Sequence, residues 1–281
     1  MILHVTYLSD GYKVKGYLGV PPQATRWTAA SLQANIEAHC GAAPLPVTVV
    51  AESVRQNVKS DAPRRLPALI YCRGGIGNVG KVRTHWIESF ASRGFVVFAP
   101  SYRGNEGGEG RDEFGGDDRE DVTAAFRLLR ALPFVDSRRV SVMGFSRGAI
   151  NAALTAAETS VVNRLILWGG VADLARTYEE RVDLRRLLKR IIGGSPAKRP
   201  EAYQARSPLW LADRLSCPVL IVHGTKDVQV NVGHGLSMYR RLQDLGVPTD
   251  LHLYEGYGHH LPYLVHEAAI DRMYDWIDGR P

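Results

Sequence analysis

The chain has 281 residues, long for an average domain but within reach of a large α/β sheet covered by helices on both faces. Hydrophobic residues at 45% and charged residues at 23% are ordinary globular proportions and predict a sizeable packed core. The formal net charge of +6 is diluted by 29 acidic side chains, so it reads as a solubility property with at most a weak preference for acidic partners, and it calls for no nucleic acid.

Three cysteines, Cys40, Cys72 and Cys217, show no paired spacing, and two of them lie in apolar runs where a thiol acts as a small hydrophobe. That pattern fits a reducing compartment. Residues 1–7 lack the basic segment, apolar core and cleavage site of a signal peptide, and no apolar run approaches the length of a membrane span. The expectation is a soluble, cytoplasmic protein with no membrane partner.

In chain order, Ile2–Leu8 and Tyr12–Val20 alternate in polarity and meet at Asp10-Gly11, a hairpin signal. Residues 23–66 interrupt the pattern with a predicted helix at Ser31–His39, ended by Gly41, and a candidate strand at Val47–Val50. From there, short Val/Ile/Leu runs at Ala68–Cys72, Phe95–Ala99, Val140–Gly144, Arg164–Trp168, Val219–His223 and Asp250–Tyr254 read as strands. Helix-period segments at Thr84–Arg93, Asp117–Leu132, Arg147–Glu158, Gly233–Leu245 and Val265–Asp278 separate them. Asp117 and Asp118 are expected to cap the second of these. Residues 172–215 form a helical, cap-like excursion in which Leu184, Leu187, Leu188, Ile191 and Ile192 make one apolar stripe. Arg185, Arg186, Lys189 and Arg190 fall mainly off it, as a solvated face. The predicted class is α/β, one domain over 1–281 with a mostly parallel eight-stranded sheet, helices on both faces and the helical excursion after strand six.

The run Val140-Ser141-Val142-Met143-Gly144-Phe145-Ser146-Arg147-Gly148 carries an apolar strand straight into Gly-x-Ser-x-Gly and an Ala-rich helix. A serine at so sharp a turn is held in a strained conformation and crowded by the residues two before and two after it. Glycine there removes the offending Cβ atoms and leaves the hydroxyl exposed above the sheet. A serine hydroxyl is a poor nucleophile near neutral pH. It needs a base within hydrogen-bond reach and a carboxylate to hold that base in the right tautomer.

In the α/β-hydrolase arrangement these follow in the order Ser, Asp, His, on loops at the carboxyl ends of strands. Pro218–His223 leads into Gly224-Thr225-Lys226-Asp227, and Leu251–Tyr254 leads into Glu255-Gly256-Tyr257-Gly258-His259-His260. His259 and His260 compete for the base, with His259 favoured because it directly follows the flexible Gly258. Asp173 and Asp213 are reserves for the acid. Among the nine histidines, His223 reads as a structural residue ending a strand, and His85, His234 and His266 sit on predicted helices.

The strand Leu69–Cys72 runs into Arg73-Gly74-Gly75-Ile76-Gly77-Asn78-Val79-Gly80-Lys81. In a hydrolase such a loop offers a backbone N–H which, with that of Arg147, stabilises the tetrahedral oxyanion; one such donor is typically worth about 10²–10³ in rate. The loop also matches two nucleotide patterns and fails both. Gly75-x-Gly77-x-x-Gly80 is followed by a strand ending Phe98-Ala99-Pro100-Ser101, with no acid for a ribose. Gly75-x-x-x-x-Gly80-Lys81 continues with Val82 where a magnesium-binding hydroxyl is needed. No His-Glu-x-x-His or paired Cys-x-x-Cys suggests a metal, and the expected chemistry needs no cofactor.

Taken together, Tyr102-Arg103-Gly104-Asn105-Glu106-Gly107-Gly108, Gly144-Phe145-Ser146-Arg147-Gly148, His223-Gly224-Thr225-Lys226-Asp227 and Tyr254–His259 resemble the catalytic domain of prolyl oligopeptidase-family serine hydrolases. Gly194-Ser195-Pro196 through Tyr203–Pro208 is similar as well, and the resemblance runs over about residues 67–278. It implies Ser146 as nucleophile, Asp227 as acid, His259 as base, and the N–H groups of Gly74 and Arg147 as oxyanion donors. Three departures stand out. The chain has no room for the β-propeller that many family peptidases carry, Arg73 stands where relatives often have His or Tyr, and 23–66 is longer than the expected connection. The long segment is expected to cover the active site or to make a dimer contact, which leaves a homo-oligomer open. The leading expectation is a carboxylesterase-like enzyme acting on a small-molecule ester. A serine peptidase acting on short peptides is the alternative, and a non-catalytic binding protein on a hydrolase scaffold is the alternative of another class.

Overall fold

The computed structural model describes residues 1–24, 27–52 and 65–279, so 25–26 and 53–64 of the long segment 23–66 lie outside the described residues. The chain divides into two compact units: Met1–Asp112 with Asp117–Ser141, and Glu113–Gly116 with the chain from Val142 onward.

In the first unit, β1 (Ile2–Ser9) and β2 (Tyr12–Gly19) form an antiparallel hairpin in register from Ile2↔Gly19 to Ser9↔Tyr12. The turn residues Asp10 (φ 49°) and Gly11 (φ 79°) are both left-handed, as a two-residue turn matched to the strand twist requires. α1 (Ala29–Cys40) starts at a Thr28 capping box and stops at Gly41 in the left-handed region. β3 (Val47–Ala51) then pairs antiparallel with β1. β4 (Leu66–Cys72), α2 (Thr84–Ser92) and β5 (Val96–Pro100) form a parallel unit, and β5 also pairs antiparallel with β2. The strand order in this unit is β3-β1-β2-β5-β4. Its core includes Leu3, Tyr7, Leu18, Ile70, Phe90 and Phe98, all buried.

α3 (Arg119–Ala131) closes the first unit. Asp118 takes its N-cap position with helical dihedrals (φ −62°, ψ −12°) and makes no side-chain capping bond, contrary to the expectation for Asp118 as a cap. A capping side chain needs an extended N-cap backbone to fold back onto the first turn. The charge that matters here is Asp121. It is fully buried and accepts Arg103 Nη2–H at 2.9 Å and the Arg103 backbone N–H at 2.6 Å.

β6 (Val135–Phe145) leads into the second unit. There α4 (Gly148–Glu158), β7 (Leu165–Trp168), α5 (Leu174–Glu180), α6 (Arg185–Ile192), α7 (Pro200–Gln204), β8 (Val219–Gly224), α8 (Gly233–Asp244), β9 (Thr249–Tyr254) and α9 (Tyr263–Ile277) follow. The end of β6 with β7, β8 and β9 makes four parallel neighbours, in register at Gly144↔Leu167, Leu167↔Ile221 and Ile221↔Leu251. Strand residues are buried throughout β7 and β8, as in a parallel layer covered on both faces. In the excursion, Leu188 and Ile192 are buried while Arg186, Lys189 and Arg190 are exposed, so α6 turns its apolar stripe inward.

The described residues carry nine strands rather than eight, because Val47–Ala51 forms one. No helix among them is long and apolar enough to cross a membrane.

Candidate active site

Ser146 directly follows β6 with φ +57°, a conformation that non-glycine residues rarely adopt. The bend is tight. A Cβ on Gly144 would lie 2.4 Å from Gly148 O and 2.5 Å from Ala149 N, so position 144 admits only glycine without a backbone shift. The Ser146 N–H donates to Trp168 O at 2.9 Å, and Ser146 O accepts from Ala149 N–H and Val171 N–H at 3.1 and 3.2 Å. The elbow is thereby tied to α4 on one side and to the end of β7 on the other. Ser146 itself is part-exposed while both of its neighbours are buried.

The loops after β8 and β9 are laced together. Thr225 N–H donates to Tyr254 O at 3.0 Å, Lys226 N–H to Tyr257 O at 2.8 Å, and Gly256 N–H to Thr225 Oγ1 at 2.9 Å. A Cβ on Gly224 would meet Tyr257 O at 2.4 Å, which explains the glycine at that crossing. The lacing carries Asp227 to His259, whose Nδ1 lies 2.7 Å from Asp227 Oδ2. Asp227 Oδ1 accepts the N–H groups of Gln229 and Val230 at 2.8 and 2.9 Å. Burial opposes ionisation of this carboxyl more than any other single influence. Hydrogen bonds from His223, His259 and Val230 together outweigh it and hold the group well below the usual carboxylate range.

The His259–Asp227 pair lies against the elbow's support. Gly169, the residue after Trp168, is so near that a Cβ there would be 3.3 Å from His259 Nδ1 and 3.5 Å from Asp227 Oδ2. The His259 ring packs 4.8 Å from that of Phe145, the residue before Ser146. Ser146 Oγ makes no hydrogen bond to His259; nucleophile–base contacts in unliganded sites are commonly long and tighten with substrate.

The competing residues go elsewhere. His260 is exposed and stacks on Phe145 at 5.3 Å. Asp173 caps α5, accepting Ala175 N–H and Arg176 N–H at 2.8 and 3.1 Å. Asp213 is exposed in the turn Pro208–Arg214. His234 is buried on α8, its Nδ1 accepting from Ala172 N–H and Asp173 N–H.

Arg147 begins α4, 2% exposed, with its guanidinium 4.8 Å from the Phe114 ring. Gly74 belongs to the first unit, in the turn after β4, and there the sequence pattern conceals a brace. The buried Arg73 guanidinium donates to Gly74 O, Gly75 O and Ser101 O at 3.2, 3.1 and 2.7 Å and pairs with Asp112 at 3.3 Å. A Cβ on Gly80 would collide with Arg73 Nη1, and one on Gly75 would lie 2.9 Å from Gly80 Cα. Two of the glycines that imitate a nucleotide fingerprint, Gly75 and Gly80, are therefore placed to admit Arg73 and each other, while Gly77 serves a left-handed backbone at φ +56°. Among the described residues, no cluster of three or more His, Cys, Asp or Glu could hold a metal.

The sequence profile of the prolyl oligopeptidase family matches residues 81–280. The chain belongs to that family. An uncharacterised peptidase, YtmA, of Bacillus subtilis is 44% identical over 219 residues, which are 78% of this chain and 85% of YtmA. Dipeptidyl-peptidase 5 of Porphyromonas endodontalis is 25% identical over 235 residues, which are 78% of this chain but 34% of that protein. The solved structure of a Mycobacterium tuberculosis puromycin-hydrolyzing peptidase aligns with 98% of this chain and 39% of its own, at a TM-score of 0.73 and 23% identity. That likeness carries the fold, an α/β-hydrolase. The chain is a serine hydrolase of the prolyl oligopeptidase family, and Ser146, Asp227 and His259 all fall inside the matched stretch, while Gly74 precedes it.

Proposed function

We propose that the protein is a serine peptidase that cleaves short peptides through an acyl-enzyme, with Ser146 as nucleophile, His259 as base and Asp227 as the acid that orients it. The observation that carries this reading is the buried His259–Asp227 pair, 2.7 Å apart against Gly169, one residue from the carbonyl that holds the Ser146 N–H. Asp227 accepts at Nδ1–H of His259, which leaves Nε2 as the lone pair that takes a proton.

Ser146 Oγ attacks the scissile carbonyl carbon as His259 Nε2 takes the hydroxyl proton. The Arg147 N–H donates to the oxyanion that forms. His259 returns the proton to the leaving amine, which departs as the acyl-enzyme forms. Water then repeats the sequence, releasing the acid and restoring Ser146.

Kinship favours the amide over the ester. The 44% identical relative, matched over 85% of its length, bears the name peptidase, as does dipeptidyl-peptidase 5. The preference for an ester rests on chain length, which does not bear on the leaving group, and it gives way. The test is hydrolysis of an ester and an anilide with the same acyl group, with Ser146→Ala alongside. Anilide cleavage that the variant loses by about 10⁶ supports the peptidase. Ester turnover without anilide cleavage would return the reading to an esterase.

A further inference from the structure

We infer that His223 is a positioning residue for the catalytic carboxylate: its Nε2–H clamps the turn 227–230 that cradles Asp227 and faces the carboxylate edge that His259 uses. The inference rests on the triad reading above.

His223 is the penultimate residue of β8, and its side chain is wholly buried. Its Nε2 lies 2.8 Å from Val230 O and 3.5 Å from Asp227 Oδ2. A carbonyl only accepts, so the proton sits on Nε2. Nδ1 is buried without a hydrogen-bond partner and faces Gly235, where a Cβ would be 2.8 Å away. An N–H at Nδ1 would be buried and unpaired, which agrees with the proton's place on Nε2.

Val230 makes the connection. Its carbonyl accepts from His223 and its N–H donates to Asp227 Oδ1 at 2.9 Å, so one residue carries the hold from imidazole to carboxylate. With Gln229 N–H also on Oδ1, that oxygen is filled by two backbone donors and Oδ2 is left turned toward His259. The tip of the turn has little else to hold it. Val228 is 89% exposed and Gln229 is exposed, with Arg181 Nη1 on Gln229 O at 3.1 Å as the outer tether. A histidine placed only to fill the core would not need its one proton aimed at this turn.

The experiment compares His223→Phe, His223→Gln and Gly235→Ala with wild type by thermal unfolding, kcat and KM on an anilide substrate, and the rate of Ser146 labelling by a fluorophosphonate. Phe keeps the ring and loses the donor, whereas Gln returns an N–H near the Nε2 position. We expect His223→Phe to lower kcat and labelling about 10- to 100-fold, the cost of an ångström-scale misplacement of a catalytic group, with KM little changed. His223→Gln should recover most of that loss. Equal impairment in Phe and Gln, or wild-type kcat in a folded Phe variant, would overturn the inference. Should His223→Phe fail to fold, Gly235→Ala decides. It pushes the imidazole from behind without touching the triad, and an unchanged kcat there would equally overturn the inference. Wild-type protein that the fluorophosphonate does not label at Ser146 would instead sink the triad reading itself.

Discussion

The Tyr102 hydroxyl donates to the Arg73 carbonyl at 3.1 Å, and that bond fixes the plane of the Arg73–Gly74 peptide. The Gly74 N–H belongs to the same planar unit and points opposite to the carbonyl. Tyr102, buried and itself at φ +61°, thus holds the peptide that opens the loop after β4. Tyr102→Phe should keep the fold and cost about 1 kcal/mol of stability, the net worth of a typical hydrogen bond, because the ring stays and only its donor is lost. Urea unfolding beside wild type checks this, and a variant as stable as wild type would show that the bond holds nothing.

Arg73 holds the same turn from the other side. Replacing it with Met would leave the carbonyls of Gly74, Gly75 and Ser101 without this donor and Asp112 without this partner. Breaking a buried pair in this way typically costs about 3 kcal/mol or more. Arg73→Lys should rescue little, because one ammonium cannot span three carbonyls and a carboxylate as a planar fork does. Urea unfolding of the three proteins checks both statements, and a Lys variant as stable as wild type would contradict the second.

Asp227 gives the molecule a signature in acid. Its carboxyl is held below the usual range in the folded protein, by hydrogen bonds that overcome burial, and returns to about 3.9 on unfolding. A carboxyl depressed by folding contributes stability that is fully present above the unfolded value and is lost as pH falls through that value toward the folded one. Measured by urea unfolding, the stability gap between wild type and Asp227→Asn should therefore stay level from neutral pH down to about 5 and shrink below about 4. A gap that widens on acidification would contradict the assignment. The same variant should lose on the order of 10⁴ in kcat, because an amide cannot hold the required imidazole tautomer.

These residues differ in how plainly the sequence announces them. The elbow is legible because its demand is local: a strand, a glycine two before Ser146 and a helix must be contiguous, and Gly144 shows why. Asp227 is reachable through its place one short turn after a buried strand. His223 reads only as structural, since a partner four residues along becomes visible when the turn at 227–230 folds back onto it. Arg73 registers as a departure from the family pattern, and its brace is hidden because the acceptors Ser101 and Asp112 lie far along the chain. Asp118 misleads in the opposite sense. An acid at a helix start is a sound local signal, but here the backbone is already helical and burial makes other demands. The eight-strand expectation falls one short because β3 is a short edge strand whose side chains are largely exposed, so burial gives it little pattern to read.

Adjacent residues are the hardest case, since His259 and His260 share every spacing argument. The structure separates them by environment: His259 is buried with Nδ1 on Asp227, whereas His260 is exposed and rests on Phe145. His259→Ala should lose on the order of 10⁶ in kcat, as removal of the base does in a triad that acts as a unit. His260→Ala removes an exposed ring and should shift stability by no more than about 0.5 kcal/mol, with kcat close to wild type. The decisive comparison is a fluorophosphonate labelling rate for both variants, since labelling needs the base but no particular substrate. If His260→Ala labelled as slowly as His259→Ala, the loop would have to rearrange on binding and bring the second imidazole to Asp227. Fast labelling in His260→Ala alone ties the base to whichever of the two neighbours Asp227 already holds, which is His259.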